Sequence, residues 1–513
     1  MLLPILLAYH VAMTGDDGAA GSDVAPFRTI QHAADVAAPG DTVTVHAGTY
    51  TGFIVTTIAS EASPLAFVAD GAVAIDGAAT ANQDAIEING GAWIRIEGFT
   101  VTHATRAGIS ALDCNHITIR GNHVDQNGKW GVFSAFCDDF VVEHNELSRS
   151  GTQHGVYASN SADRPVIRDN LIWGNAQCGV HMNGDISYGG DGVISGAVVE
   201  GNVIRDNGAL GGSGINGDGI AGAVIRNNVL DGNHASGISL YQIDGGAPST
   251  GNQVIANTVR MASDARWALN IQNDSTGNVA RDNIFLDANG ASGAIDLCAT
   301  CGVVSDHNVV VGRFSFGAAT MDLAGWRAQT GNDAASFTAS ESDLFAADTL
   351  ALRAGSPAID AGDPTGAPDV DIAGTPRPQG AGYDIGAYEY TDPVGSGSGS
   401  GSDPAPDDGS DSPSPPVMHG GGCNTGGGGG AALVVVVSCV LAHFSRRRCR
   451  PFARSCARDS DRVATIAVLA DSRRHARCTW SARNHDGGSH DRRDHEASRS
   501  DRAVVGEAAS PRR

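Results

Sequence analysis

Side chains able to move protons or hold a cation gather between residues 154 and 244 of this 513-residue chain. His154, Tyr157 and His181 are donors or carriers of protons, and Asp185, Asp218 and Asp244 are carboxylates that can work as acids or bases or ligate calcium. Asn183, Asn216, Asn270, Gln272 and Tyr241 add amides and a further ring. Three chemistries fit this set. β-Elimination on a uronic acid needs a group that neutralises the substrate carboxylate, a base for the C5 proton and an acid for the leaving oxygen. His181 with Asn183 or Asn216 fits the first role, calcium on Asp185, Asp218 or Asp244 can replace it, and Tyr157 or His154 fits the proton transfers. C5 epimerisation uses the same groups. The second chemistry is glycoside hydrolysis by two carboxylates. Asp185 and Asp218, on neighbouring strands and offset by two residues, would be about 8 Å apart, an inverting separation. The third reading has no reaction: rings suit sugar faces, amides and carboxylates suit hydroxyls, and the surface simply binds glycans.

These residues need elements that bring them together, and a repeat supplies them. The pattern IRGNHV, VEHNEL, IRDNLI, VEGNVI, IRNNVL, IANTVR, ARDNIF recurs with its Asn at 122, 145, 170, 202, 228, 257 and 283, and SDHNVV adds Asn308. The spacings run from 23 to 32 residues, the size of one solenoid turn. Such a unit cannot bury its apolar side alone, so units must stack into one continuous core. Asn122, Asn145, Asn170, Asn202, Asn228, Asn257, Asn283 and Asn308 should then form a ladder of amide hydrogen bonds, in a turn whose left-handed geometry Asn tolerates. A second pattern begins with Gly: AGIS, WGVF, HGVY, CGVH, SGIN, SGIS, WALN. Alternation across a strand puts its next residue inward (Ile109, Val132, Val156, Val180, Ile215, Ile238, Leu269) and the two polar columns outward. Those columns carry Tyr157, His181, Asn216 and Asn270, and Asn183, Asp218, Tyr241 and Gln272. The long turns 184–196 and 243–252 are placed to wall one side.

The stretch Pro26 to Asn308 resembles the pectate-lyase-like right-handed parallel β-helix superfamily, with PFRTIQHAADVAAPGDTVTVHAGTY similar to its usual entry. The fold expected is therefore all-β: a right-handed single-stranded parallel β-helix with a short N-terminal capping helix and a disordered C-terminal tail. The resemblance implies that the Gly-initiated sheet floors a substrate groove and that the partner is an extracellular polysaccharide. It does not choose a reaction, because the superfamily includes lyases, hydrolases, epimerases and non-enzymatic surface proteins. Lys occurs once, at Lys129, one rung from the polar cluster. That departs from the Lys base of calcium-dependent pectate lyases.

A net charge of −23 argues against nucleic acid as a partner. The expected organisation has a signal peptide at 1–20, the β-helix at 21–311 and a C-terminal capping or anchor-associated module at 312–392. In that module Asp360, Asp363, Asp369, Asp371 and Asp384 are calcium ligands or turn residues. A Gly/Ser/Pro-rich linker follows at 393–422. Residues 423–448, with Cys423, an apolar run and an Arg cluster, are similar to the tripartite sorting tails of myxobacterial surface proteins. That likeness implies a secreted monomer anchored at the cell surface by sorting machinery. Residues 449–513 read as a disordered or frameshifted basic extension. Cys114 and Cys137 hold one position on consecutive rungs, about 5 Å apart and within disulfide reach. Cys298 and Cys301 form a short-loop pair, and Cys178 stays a free or buried thiol.

Overall fold

The computed structural model describes residues 8–77 and 83–392. The linker, Cys423 with its sorting tail and the basic extension lie outside the described residues.

Thirty-three strands join in one sheet that winds as a parallel solenoid. Val132–Ala135 pairs in parallel with Val156–Ser159, that strand with Val180–Asn183, and onward through Ile215–Asp218 and Ile238–Tyr241. The all-β parallel solenoid expected from the repeat is thus present. The inward column Ile109, Val132, Val156, Val180, Ile215, Ile238 and Leu269 has no exposed surface at all. Burying each such side chain contributes roughly 1.5–3 kcal/mol, and only the next turn can cover it.

The Asn ladder runs unbroken. Each Oδ1 from Asn145 to Asn308 accepts both the backbone N–H and the side-chain Nδ2–H of the ladder Asn one turn earlier. The left-handed residue is not Asn, as the turn chemistry suggested, but the one before it: Gly121, His144, Asp169, Gly201, Asn227, Ala256, Asp282 and His307 all have φ between 54° and 66° or within two degrees of that range. That residue turns the corner, and the Asn amide then satisfies the backbone groups the corner exposes. A second ladder lies five residues further on, through Asn175, Asn207 and Asn233, with Ser150 donating its N–H to Asn175.

Both ends are plugged. At the N-terminal end the helix Ile30–Val36 is capped by Thr29 and buries Ile30, Ala33 and Ala34. At the other end the helix Leu323–Thr330 buries Trp326 against Phe314. Trp326 Nε1 donates to Asp333, whose other oxygen accepts from Asn308 at the end of the ladder. Cys114 and Cys137, direct strand partners, form a disulfide, as do Cys298 and Cys301, while Cys178 is free and buried.

Ala8–Val11 is a strand paired in parallel with Thr42–Val45, and Val11 is fully buried. The strand Ala8–Val11, inside the segment expected as a signal peptide, thus packs as part of the first turn. Residues 312–392 include the closing helix and go on to pack on the solenoid. They fold back along the solenoid, where Ala387 donates to Thr258, Asp363 to Asp282, and Asn227 to Val370. Asp360, Asp371 and Asp384 there accept the backbone N–H groups of Gly382, Thr375 and Tyr390.

Asn202 Nδ2 donates to Ile167, Glu200 and Asn228, and its Oδ1 accepts twice from Asn170. Asn202→Ala leaves several of these buried groups unpaired and should cost roughly 3 kcal/mol. A urea midpoint unchanged from wild type would show that the ladder does not stabilise the stack.

Candidate functional site

Strand register sets the two polar columns side by side. Tyr157, His181, Asn216, Ser239, Asn270 and Asp296 are successive partners in one, and Ser159, Asn183, Asp218 and Tyr241 in the other. The columns are far less exposed than an ordinary sheet face, and Asn183, Asn216 and Asp218 are all buried. The long turns account for this. Ile186 N–H donates to the Asp244 carbonyl (3.0 Å), Gly246 N–H to the Gly192 carbonyl (2.7 Å) and Gly192 N–H to Ser161 Oγ (2.8 Å), so the two turns form one wall.

Asp218 anchors that wall. Its carboxylate accepts the backbone N–H groups of Ile243, Asp244 and Gly245 at 2.8, 2.9 and 3.1 Å. Burial raises its pKa, and the three amides oppose the rise. The three amide hydrogen bonds take up both of its oxygens and tie the strand Ile215–Asp218 to the turn 243–252. Among the described residues Asp185, Asp218 and Asp244 do not converge as a metal-binding group. Asp185 sits at left-handed φ, caps the short turn Ile186–Tyr188 and accepts from Ser187 with one oxygen. Its charge acts on Tyr157.

The histidines form a directed relay. Cys178 N–H donates to His154 Nδ1 (3.2 Å), and His154 Nε2 lies 3.0 Å from His181 Nδ1. A backbone amide can only donate, so His154 Nδ1 is the acceptor and a neutral His154 carries its proton on Nε2. That proton goes to His181 Nδ1, which leaves His181 protonated on Nε2. This Nε2 is buried and has no hydrogen-bond partner. Burial holds both rings neutral: it drives His154 well below the ordinary histidine range, helped by His181 and Lys129, and pushes His181 down to about 4. His181 is therefore an uncharged N–H donor. His154 has both nitrogens engaged, one by the Cys178 N–H and one by His181. The ligand atoms of His154, Cys178 and His181 do lie within 4.8 Å of one another. Both His154 nitrogens are, however, already hydrogen-bonded, Nδ1 to the Cys178 N–H and Nε2 to His181 Nδ1.

Tyr157 is kept protonated, first by burial and then by the charge of Asp185, with Asn183 opposing. Its ring lies 4.9 Å from His181 and 5.5 Å from Phe133, which stacks at 4.3 Å on Trp130. Arg106 and Lys129 lie over that row. Asn216 donates to the Tyr241 hydroxyl (2.6 Å). Gln272 bonds to Asn270 and to Asp296, a separate knot two rungs beyond Asn216. Sequence reasoning missed Trp130, Arg106, Asp296 and the role of Cys178. The available signal was the residue just before each Gly: Ala107, Trp130, His154, Cys178, Ser213 and Ser236 form a third column.

The folded His181 binds its proton only near pH 4, while the unfolded chain binds it near 6.5. Between these values the unfolded state holds more protons, so stability falls as pH is lowered through that window. Imidazole ¹⁵N shifts at pH 7 should report a neutral ring with the proton on Nε2. A His181 that titrates near 6.5, or carries its proton on Nδ1, would refute the relay.

Residues 84–259 match the family model described as the right handed beta helix region. An uncharacterized protein of Bacillus subtilis (strain 168), YwoF, is 28% identical over 202 residues, which cover 34% of this chain and 43% of that relative. The chain thus aligns with less than half the length of the curated relative it matches. Among solved structures it is similar to pectate lyase Pel9A (18% identity, 75% of this chain and 96% of that one, TM-score 0.49). It is also similar to an alginate lyase from a Paenibacillus species (21%, 52% and 94%, 0.41) and to PfbA, a surface adhesin of Streptococcus pneumoniae (11%, 60% and 90%, 0.40). Residues 84–259, with the parallel pairing of their strands, are a right-handed parallel β-helix.

Proposed function

We propose that the walled sheet acts on an acidic extracellular polysaccharide, as a uronate lyase or C5-epimerase. The observation that carries this reading is the buried, uncharged and unpartnered Nε2–H of His181 beside the protonated Tyr157 hydroxyl. From the Trp130 rung to the Asp296 rung the columns extend about 29 Å, six strand spacings, enough for several sugar rings. The aromatic row and the amides suit ring faces and hydroxyls. Two disulfides support an oxidising compartment and so a secreted, surface-located protein.

In elimination the substrate carboxylate gains charge as the C5 proton leaves. His181 Nε2–H is fixed in advance to donate to it and bonds more strongly as the charge grows. This role replaces calcium on Asp185, Asp218 or Asp244. Asp185, beside Tyr157, takes the C5 proton, and Tyr157 delivers a proton to the leaving oxygen. Return of a proton to the opposite face of C5, in place of departure of that oxygen, gives epimerisation from the same groups.

Residues 8–392 incubated with a panel of polyuronates should yield unsaturated products by absorbance, or exchange of the C5 hydrogen in heavy water. Tyr157→Phe should lower kcat by about 10²–10⁴, and His181→Ala by about 10²–10³. Neither product nor exchange on any polyuronate would reject both reactions.

A further inference from the structure

A second convergence of ligand atoms lies on the first turn, away from the polar columns. His10 is on strand Ala8–Val11, His46 on strand Thr42–Tyr50, and Asp23 in the tight turn closed by the Ser22–Ala25 bridge. His10 Nδ1 and His46 Nε2 are 3.1 Å apart, and Asp23 Oδ1 lies 3.7 and 3.6 Å from them. The carboxylate is too far for a hydrogen bond to either nitrogen. The three distances instead surround the ligand-to-ligand edge of a tetrahedral zinc ion, about 3.3 Å for bonds of 2.0–2.1 Å.

An independent observation comes from behind His46. Its direct strand partner is Asp70, and His46 Nδ1 lies 2.9 Å from Asp70 Oδ2. Nδ1–H therefore donates to Asp70, and Nε2 is left as a bare lone pair aimed at His10 Nδ1. A carboxylate fixing the far nitrogen of a histidine is the usual outer partner of a metal ligand. The Asp23 side chain is 73% exposed, so a fourth position opens to water.

We propose that His10, His46 and Asp23 bind a divalent cation of the zinc class, with Asp70 orienting His46. The ion ties the first strand and the 22–25 turn to the second rung and so fastens the N-terminal end of the solenoid. Nitrogen and oxygen donors in a trio suit zinc, and they disfavour calcium, which takes six to eight oxygens. The rival arrangement is a proton on His10 Nδ1 donated to His46 Nε2, with no ion. This inference does not depend on the groove reading.

The test uses the full chain, stripped with a chelator and titrated with Zn²⁺ by calorimetry, with Co²⁺ as the spectroscopic probe. One equivalent should bind and raise the melting temperature. His46→Ala and His10→Asn should each abolish both effects, Asp70→Asn should weaken binding about 10–100-fold, and Cys178→Ala should change nothing. Circular dichroism checks that each variant folds. Absence of saturable binding, or binding that survives both histidine variants, overturns the site. A thiolate-to-Co²⁺ band lost in Cys178→Ala overturns it too, by moving the metal to the His154–Cys178–His181 group.

Discussion

A backbone that turns a buried corner must find a partner for every N–H and carbonyl it exposes there, and this solenoid turns such corners on every rung. The Asn amide meets the demand because it donates and accepts at once. Asn202 closes two carbonyls of its own corner and neighbouring turn, then links forward to Asn228 and back to Asn170. An Asp in that place would accept without donating, and a hydrophobic residue would do neither. The ladder therefore fixes which turn lies on which, and register propagates from the corner along each strand.

The candidate site inherits that register. Tyr157, His181 and Asn216 meet because their strands stack without a slip, although 24 and 35 residues of chain separate them. The extra residues between His181 and Asn216 are expelled as the turn 184–196, and the next rung expels 243–252. Their meeting is not left to chance, since Asp218 collects three backbone N–H groups from the second turn and the turns then bond each other. The outcome is a largely buried polar floor, where each remaining hydrogen-bond donor counts for more.

Much of this was legible in the chain because a period-two strand and a recurring Asn are local signals. The inward column, the outward columns and the Cys114–Cys137 pairing all follow from counting residues from Gly or Asn. The roles of the carboxylates and histidines did not follow. Asp218 reads the same whether it faces substrate or three amides, and only the fold of a distant turn decides. The hydrogen bonds of His154 were hidden too, because nothing local shows that Cys178, on the next rung, offers it a backbone N–H. The strand Ala8–Val11 was not foreseen because a short apolar run has no period to mark it as one. The closing helix around Trp326 was missed because its few apolar residues make no amphipathic pattern.

The direction of the histidine relay has a further consequence for the chemistry. The chain carries a net charge of −23, and a polyuronate approaching it is also an anion. A buried Lys or Arg at the floor would attract that anion but would need a partner whenever the groove is empty. A neutral imidazole avoids the requirement, provided its unpartnered nitrogen is a donor. The His154–His181 pair by itself has no preferred direction: run the other way, it would present a lone pair from His181 and repel the carboxylate. The Cys178 N–H removes that ambiguity, because an amide cannot accept. The direction of the His154–His181 hydrogen bond is thus set by a main-chain group, two rings from the His181 Nε2–H, that any residue at 178 other than proline would supply.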